Sequence, residues 1–270
     1  MKVAVIQMTS VLDFQKNLDF IDKTILEIKK ESEGRDVQAI FLPEVFYSMS
    51  DGVKASPYLV EEGNEHFENI RNIAKKHEVY LLGGSAATIG VTEDSVVNRC
   101  YNFSPQGELL GSYDKIHLFD VTVSKVETWK ESNVYDRGDK AVMAEIDGAK
   151  LGLSICYDLR FPSLYRHYGQ AGADIIAVPA AFTRPTGEAH WESLLRARAI
   201  ETGSFVIAPA QGGPHEDGRT TYGHSLIIGP WGDILAHLDS DEPGYICADI
   251  DITDVAEARR RIPAWNHDPD

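Results

Sequence analysis

Short runs of Val, Ile, Leu and Ala recur along the chain, separated by longer stretches in which apolar residues fall three and four apart. The runs at 3–7, 39–42, 79–82, 151–155, 175–178 and 205–208 predict buried strands. Between the first two, Phe14, Leu18, Ile21, Ile25 and Ile28 keep helical spacing with polar residues between them; Phe67, Ile70, Ala74 and His77 do the same before the third. Each such helix should cover one face of a sheet. A second series starts near Leu151, with helices expected over 163–170 and 189–202 and strands over 225–228 and 245–249, so the chain reads as two similar halves. The turn signals Ser104-Pro105-Gln106-Gly107 and Gly229-Pro230-Trp231-Gly232 sit between strand-like runs and predict antiparallel hairpins. A mixed-sheet sandwich with helices outside therefore fits better than a purely parallel doubly wound sheet.

Composition narrows the class. With 43% apolar and 25% charged residues in 270, neither disorder nor a fibrous repeat is suggested. No linker or low-complexity tract interrupts the chain, so a single domain over 1–270 is expected, ending in a surface tail or arm at 266–270. The net charge of −16 (26 − 42) argues against a nucleic-acid partner and against an anionic membrane. No run of about 20 apolar residues exists and the N-terminus enters a strand pattern at once, which predicts a cytoplasmic protein with no membrane partner. Cys100, Cys156 and Cys247 have no metal-type spacing, and their odd count fits a reducing compartment in which at least one thiol is free.

Chemistry gathers at strand ends. In Leu151-Gly152-Leu153-Ser154-Ile155-Cys156-Tyr157-Asp158-Leu159-Arg160-Phe161-Pro162 a strand ends at a cysteine, and the proline permits a helix to start soon after. Such a turn lifts a thiol to the rim of a sheet and aims free backbone NH groups, that of Tyr157 included, at an oxyanion forming beside the sulfur. A free thiol titrates near 8.5, so a working nucleophile needs a base or a cation close by. None of the nine histidines stands out as that partner. Two other strand ends do offer one: Phe41-Leu42-Pro43-Glu44 leaves a carboxylate at its tip, and Tyr113-Asp114-Lys115-Ile116-His117 encloses an amine among apolar and aromatic residues. Taken singly, Glu44 could be a surface carboxylate and Lys115 a snorkelling amine.

Together, and in this order, the three segments resemble the glutamate, lysine and cysteine motifs of the nitrilase superfamily of carbon–nitrogen hydrolases. The separations of 71 (115 − 44) and 41 (156 − 115) positions are similar to those of that family, and the likeness covers nearly the whole chain. The resemblance implies an α/β fold, a four-layer α-β-β-α sandwich with mixed sheets, whose subunits pair through their outer helices into a homodimer or larger homo-oligomer. It implies a Glu44-Lys115-Cys156 triad with Glu131 as a fourth polar residue, a thioester on Cys156, and neither metal nor organic cofactor. Glu44 would take the thiol proton, while Lys115 and the Tyr157 NH would hold the oxyanion.

The stretch from Ala181 to Thr202, with Ala210-Gln211-Gly212 and Tyr222-Gly223-His224-Ser225, is similar to the branch that hydrolyses deaminated glutathione, a 2-oxo acid amide. The neighbouring ω-amidase branch has asparagine where Thr183 stands. A dicarboxylate-like substrate needs cations, for which Arg160 and Arg184 are candidates by their bidentate geometry; Tyr47, Phe182 and Thr183 are expected as pocket walls. Trp191 and Leu195 are expected in helix packing or a dimer contact. Asp114 departs from the branch, as does Val121-Thr122-Val123-Ser124, which lacks a proline-glycine pair, so a differently shaped loop near Lys115 is expected. A zinc hydrolase is disfavoured because neither His77-Glu78 nor His215-Glu216 is completed by a second histidine, and a serine hydrolase because no Gly-x-Ser-x-Gly elbow occurs.

Overall fold

A computed structural model describes residues 1–31, 36–92, 94–122 and 128–267. The first half alternates strands and helices: β1 (Lys2–Gln7), α1 (Phe14–Glu31), β2 (Ala39–Phe41), α2 (Glu65–His77) and β3 (Tyr80–Leu82). It continues into a meander of β4 (Ser85–Ile89), β5 (Val96–Phe103) and β6 (Leu109–Asp114), then a small ribbon of β7 (Asp120–Thr122) and β8 (Thr128–Lys130). The second half runs β9 (Met143–Ile146), β10 (Ala149–Leu153), α3 (Pro162–Gln170), β11 (Ile175–Ala177), α4 (Arg184–Thr202) and β12 (Phe205–Ala208). A hairpin of β13 (Gly212–Pro214) and β14 (Thr220–Tyr222) follows, then β15 (Leu226–Ile228), β16 (Ile234–His237), β17 (Gly244–Asp249) and α5 (Thr253–Arg261).

The strands form two mixed sheets. One has the order β17-β1-β2-β3-β5-β4 with β6 on β5, and the other β16-β15-β12-β11-β10-β9. Within each, the strands preceding helices pair in parallel and the meander strands antiparallel. Alternation along β1 shows the layering: Val3 and Val5 pack in a core shared with Leu151, Leu153 and Ile175 of the other sheet, whereas Ala4 and Ile6 face Ile21, Ile25 and Ile70 of α1 and α2. The result is the expected four-layer α-β-β-α sandwich. The halves are not closed units, because β17 crosses back to pair with β1.

Local chemistry sets the boundaries. Asn64 caps α2 by accepting from the Phe67 NH at 2.9 Å. Helix α4 starts five residues before the position that apolar spacing predicts, because Pro185 suits a first turn and Gly187 lets the helix lie on Tyr222, where a Cβ would come within 2.3 Å. Trp191 and Leu195 are buried inside the subunit rather than at its surface, the indole NH donating to the His224 carbonyl at 2.8 Å. Among the described residues no helix is long and apolar enough to cross a membrane. The departure at 121–124 is described only to Thr122, and the C-terminal tail only to His267; the remainder of both lies outside the described residues.

Candidate active site

Three loops from two sheets meet at one end of the sandwich. Glu44 follows β2, Lys115 follows β6, and Cys156 follows β10 of the opposite sheet. The backbone of Lys115 is pinned on both sides, its NH donating to the Asn98 carbonyl at 3.0 Å and its carbonyl accepting from Gly138 at 2.8 Å. Beyond Glu44, Val45 adopts a φ of +48°, unusual for a β-branched residue, and its NH donates to Ser85 Oγ at 2.9 Å. Cys156 also has a φ of +48°, held by its NH bond to the Pro179 carbonyl at 2.8 Å. Left-handed geometry at a non-glycine residue is strained, and here it tips the thiol out of the strand line.

The strand-to-helix turn differs in one respect from the expectation. A short 3-10 helix over Cys156–Arg160 intervenes before α3 begins at Pro162. The Tyr157 NH lies in its first turn, among the amides that a helix start leaves without a partner inside the helix.

Lys115 is 2% exposed, and its Nζ donates to Glu44 Oε1 at 2.8 Å and to both oxygens of Glu131 at 2.9 and 2.8 Å. Burial alone would depress this ammonium; the charges of Glu131 and Glu44 outweigh it and hold Lys115 protonated well above its ordinary range. Burial conversely pushes the Glu131 carboxyl up against the pull of Lys115. Glu131 is fixed further by the Phe119 NH at 2.6 Å, and Glu44 by Asn98 Nδ2 at 2.9 Å. Burial, then the negative charge of Glu44, hold the Cys156 thiol well above its ordinary value, with Lys115 and the Ala181 NH acting the other way. At rest the group is a neutral thiol beside a carboxylate that can take its proton. The ammonium can stabilise negative charge on an oxygen bound next to the sulfur.

These side chains line a cleft of about 800 Å³, mouth included. Phe182, Thr183, Tyr157 and Arg160 reach it, the Arg160 guanidinium lying 5.2 Å from the Phe182 ring centre. Tyr47 does not. Its ring is fully buried behind the sheet, stacked on Phe14 with its hydroxyl 2.8 Å from His66 Nδ1, and Val45 and Met49 form that wall instead. Arg184 lies outside the cleft in a neighbouring one and pairs with Asp241. Asp114 is spent on a bidentate pair with Arg99 across β5 and β6, at 2.5 and 2.8 Å.

Of the lining residues that sequence reasoning did not single out, two are polar groups with a defined hold on the site. Asn98 orients Glu44, and Arg219 lies 5.5 Å from the Trp129 ring centre. Asn98 sits inside a strand, where nothing local marks it. Arg219 follows the turn pair Asp217-Gly218, which marks a turn, but the flanking segments Gly212-Gly213-Pro214 and Thr220-Thr221-Tyr222 are too short and too weakly patterned to single the position out.

A buried thiol, carboxylate and ammonium thus converge at the seam of an α-β-β-α sandwich, the set of groups that a sulfur nucleophile needs beside it. The carbon-nitrogen hydrolase family model matches residues 2–260, and the chain belongs to that family. A protein of Dictyostelium discoideum named deaminated glutathione amidase is 40% identical over 249 residues, covering 89% of this chain and 85% of the relative. A Xenopus tropicalis protein named omega-amidase is 39% identical, covering 87% and 84%. The crystal structure of Saccharomyces cerevisiae Nit3, described as a member of branch 10 of the nitrilase superfamily, superposes with a TM-score of 0.86 at 28% identity over 97% of this chain and 94% of that one.

Proposed function

We propose that the protein is an amidase that hydrolyses the carbon–nitrogen bond of a small 2-oxo acid amide, deaminated glutathione being the substrate that best fits. The observation that carries this reading is the Lys115 ammonium held between Glu44 and Glu131 against a Cys156 thiol that Glu44 also reaches. Glu44 takes the thiol proton as the sulfur bonds to the amide carbon. Lys115 and the Tyr157 NH stabilise the tetrahedral oxyanion, and Glu131 keeps Lys115 aimed. Glu44 returns the proton to the departing nitrogen, leaving a thioester. It then deprotonates water, whose attack releases the acid and restores the thiol.

Arg160 offers a fork for the carboxylate of the 2-oxo acid, with Phe182 and Thr183 as walls. The near-equal likeness to an omega-amidase favours a second reading, hydrolysis of 2-oxoglutaramate; threonine rather than asparagine at 183 speaks for the first. The three cysteines are free, in keeping with a reducing cytoplasmic setting. Pairing of subunits through the outer helices would cover Ile200 of α4 and the nearby Trp231, which are 55% and 47% exposed.

Turnover of deaminated glutathione, 2-oxoglutaramate, a simple aliphatic amide and a nitrile at equal concentration tests the assignment. The two 2-oxo acid amides should lead, and comparable rates on all four would defeat it.

A further inference from the structure

A second cleft, of about 960 Å³ with its mouth, opens directly off the catalytic one. Phe119, Trp129, Ala181, Thr183 and Arg219 belong to both, so a ligand held at Cys156 can extend into it without leaving the wall. Its charged lining is Arg184, Arg219 and Asp217, with Arg184 paired to Asp241 and Arg219 to Asp217, so the cleft gathers two guanidiniums that each have one carboxylate partner. Two guanidiniums brought together on so acidic a protein still offer N–H donors that a guest carboxylate can accept from.

Arg219 is held ready. Its Nε donates to Asp217 Oδ2, its Nη2 to the Ser50 carbonyl, and its plane lies by Trp129, while Nη1 has no hydrogen-bond partner among the described residues. The hairpin that carries it is tied to the catalytic base: Thr221 bridges to Thr183, and Gln211, just before β13, donates to the Glu44 carbonyl at 2.9 Å. A guanidinium fixed on one edge and open on the other loses little freedom when it binds a carboxylate.

We propose that this cleft is the leaving-group subsite, taking a short peptide amine, and that Arg219 recognises its terminal carboxylate. The inference rests on the amidase reading above. It deepens that reading, because a departing dipeptide carries such a carboxylate and departing ammonia does not. The smaller 2-oxo acid half then occupies the catalytic cavity by Arg160, and the more open cleft lets the peptide diffuse away once Glu44 has protonated its nitrogen.

The test compares three amides of one 2-oxo acid: deaminated glutathione, the same compound with its terminal carboxylate converted to a carboxamide, and 2-oxoglutaramate. On the wild-type enzyme the free acid should exceed the carboxamide in kcat/KM by about tenfold, chiefly through KM. In Arg219→Gln that ratio should fall towards one, with Arg219→Lys intermediate because it keeps the charge and loses the fork. Equal rates for acid and carboxamide on the wild-type enzyme overturn the subsite without any variant having to fold, and so does a loss in Arg219→Gln shared equally by both compounds. Absence of turnover on all three would instead refute the amidase reading beneath it.

Discussion

Cys156 is held in a place that opposes its own ionisation. Burial and the Glu44 carboxylate both favour the thiol, so in the proposed mechanism the sulfur becomes nucleophilic only as its proton passes to Glu44. This differs from a thiolate preformed beside an imidazolium, and the difference is measurable. Alkylation of Cys156 by iodoacetamide, followed by peptide mass mapping, should keep accelerating from about pH 7 to beyond pH 9. A plateau reached below neutrality would mean a preformed thiolate. Glu44 and Cys156 stood out in the sequence because each ends an apolar run, where a polar residue must either meet solvent or serve a site; Lys115, preceded by Ser112-Tyr113-Asp114, was marked instead by its aromatic and apolar neighbours and by the order of the three segments. Tyr47 was misplaced for the opposite reason. It lies only three residues beyond Glu44, but the irregular segment after β2 turns its ring back among Phe14, Tyr58 and His66.

The elements that bring these residues together are joined by one fully buried carboxylate. Asp158, in the 3-10 turn, accepts from Tyr113 Oη at 2.7 Å and the Ile155 NH at 2.8 Å on one oxygen, and from the His117 NH at 3.0 Å and His117 Nδ1 at 2.7 Å on the other. The loop of Lys115 and the turn of Cys156 are thereby locked in register. Asp158→Asn replaces one acceptor by a donor, leaving buried donors unpaired, and should cost about 3 kcal/mol in urea unfolding. Activity should fall with it; an unchanged kcat would show that the lock is not needed. The residues of this turn were plain in the sequence, but its 3-10 form was not, since nothing local announces that a carboxylate will be recruited by a strand 45 positions away. Elements with strong periodicity, such as α1 and α2, were placed closely. The ribbon of β7 and β8 and the hairpin of β13 and β14 are three residues per strand and carry too little pattern to be read.

At the scale of the whole molecule, Glu44 and Lys115 follow strands of one sheet and Cys156 a strand of the other, so the packing between sheets sets the site. The two-halves pattern foretold the sandwich. It missed the exchange of β17, because the pairing partner of a late strand is a tertiary choice. The seam also makes stability sensitive to acid. His215 is buried, with its ring nitrogens 3.1 Å from the Ser10 carbonyl and 2.7 Å from Thr221 Oγ1, and burial lowers its pKa below the ordinary 6.5. His77 is lowered likewise, against the pull of Asp22. Between the folded and unfolded values the unfolded chain binds more protons. The stabilisation is therefore complete above about 6.5 and is lost as pH falls towards the folded values. Melting temperature should drop between about pH 7 and pH 5, and His215→Gln should flatten part of that slope; an identical slope in the variant would remove His215 as a cause.

The most direct measurement is the mass of the enzyme caught in turnover. Acid quenching during hydrolysis of deaminated glutathione, then intact and peptide mass spectrometry, should find the 2-oxo acyl group as a thioester on the peptide containing Cys156, and nothing on Cys156→Ala, which should be folded and inactive. Steady turnover with no acyl group on that sulfur, or turnover surviving in Cys156→Ala, would contradict the mechanism at its root.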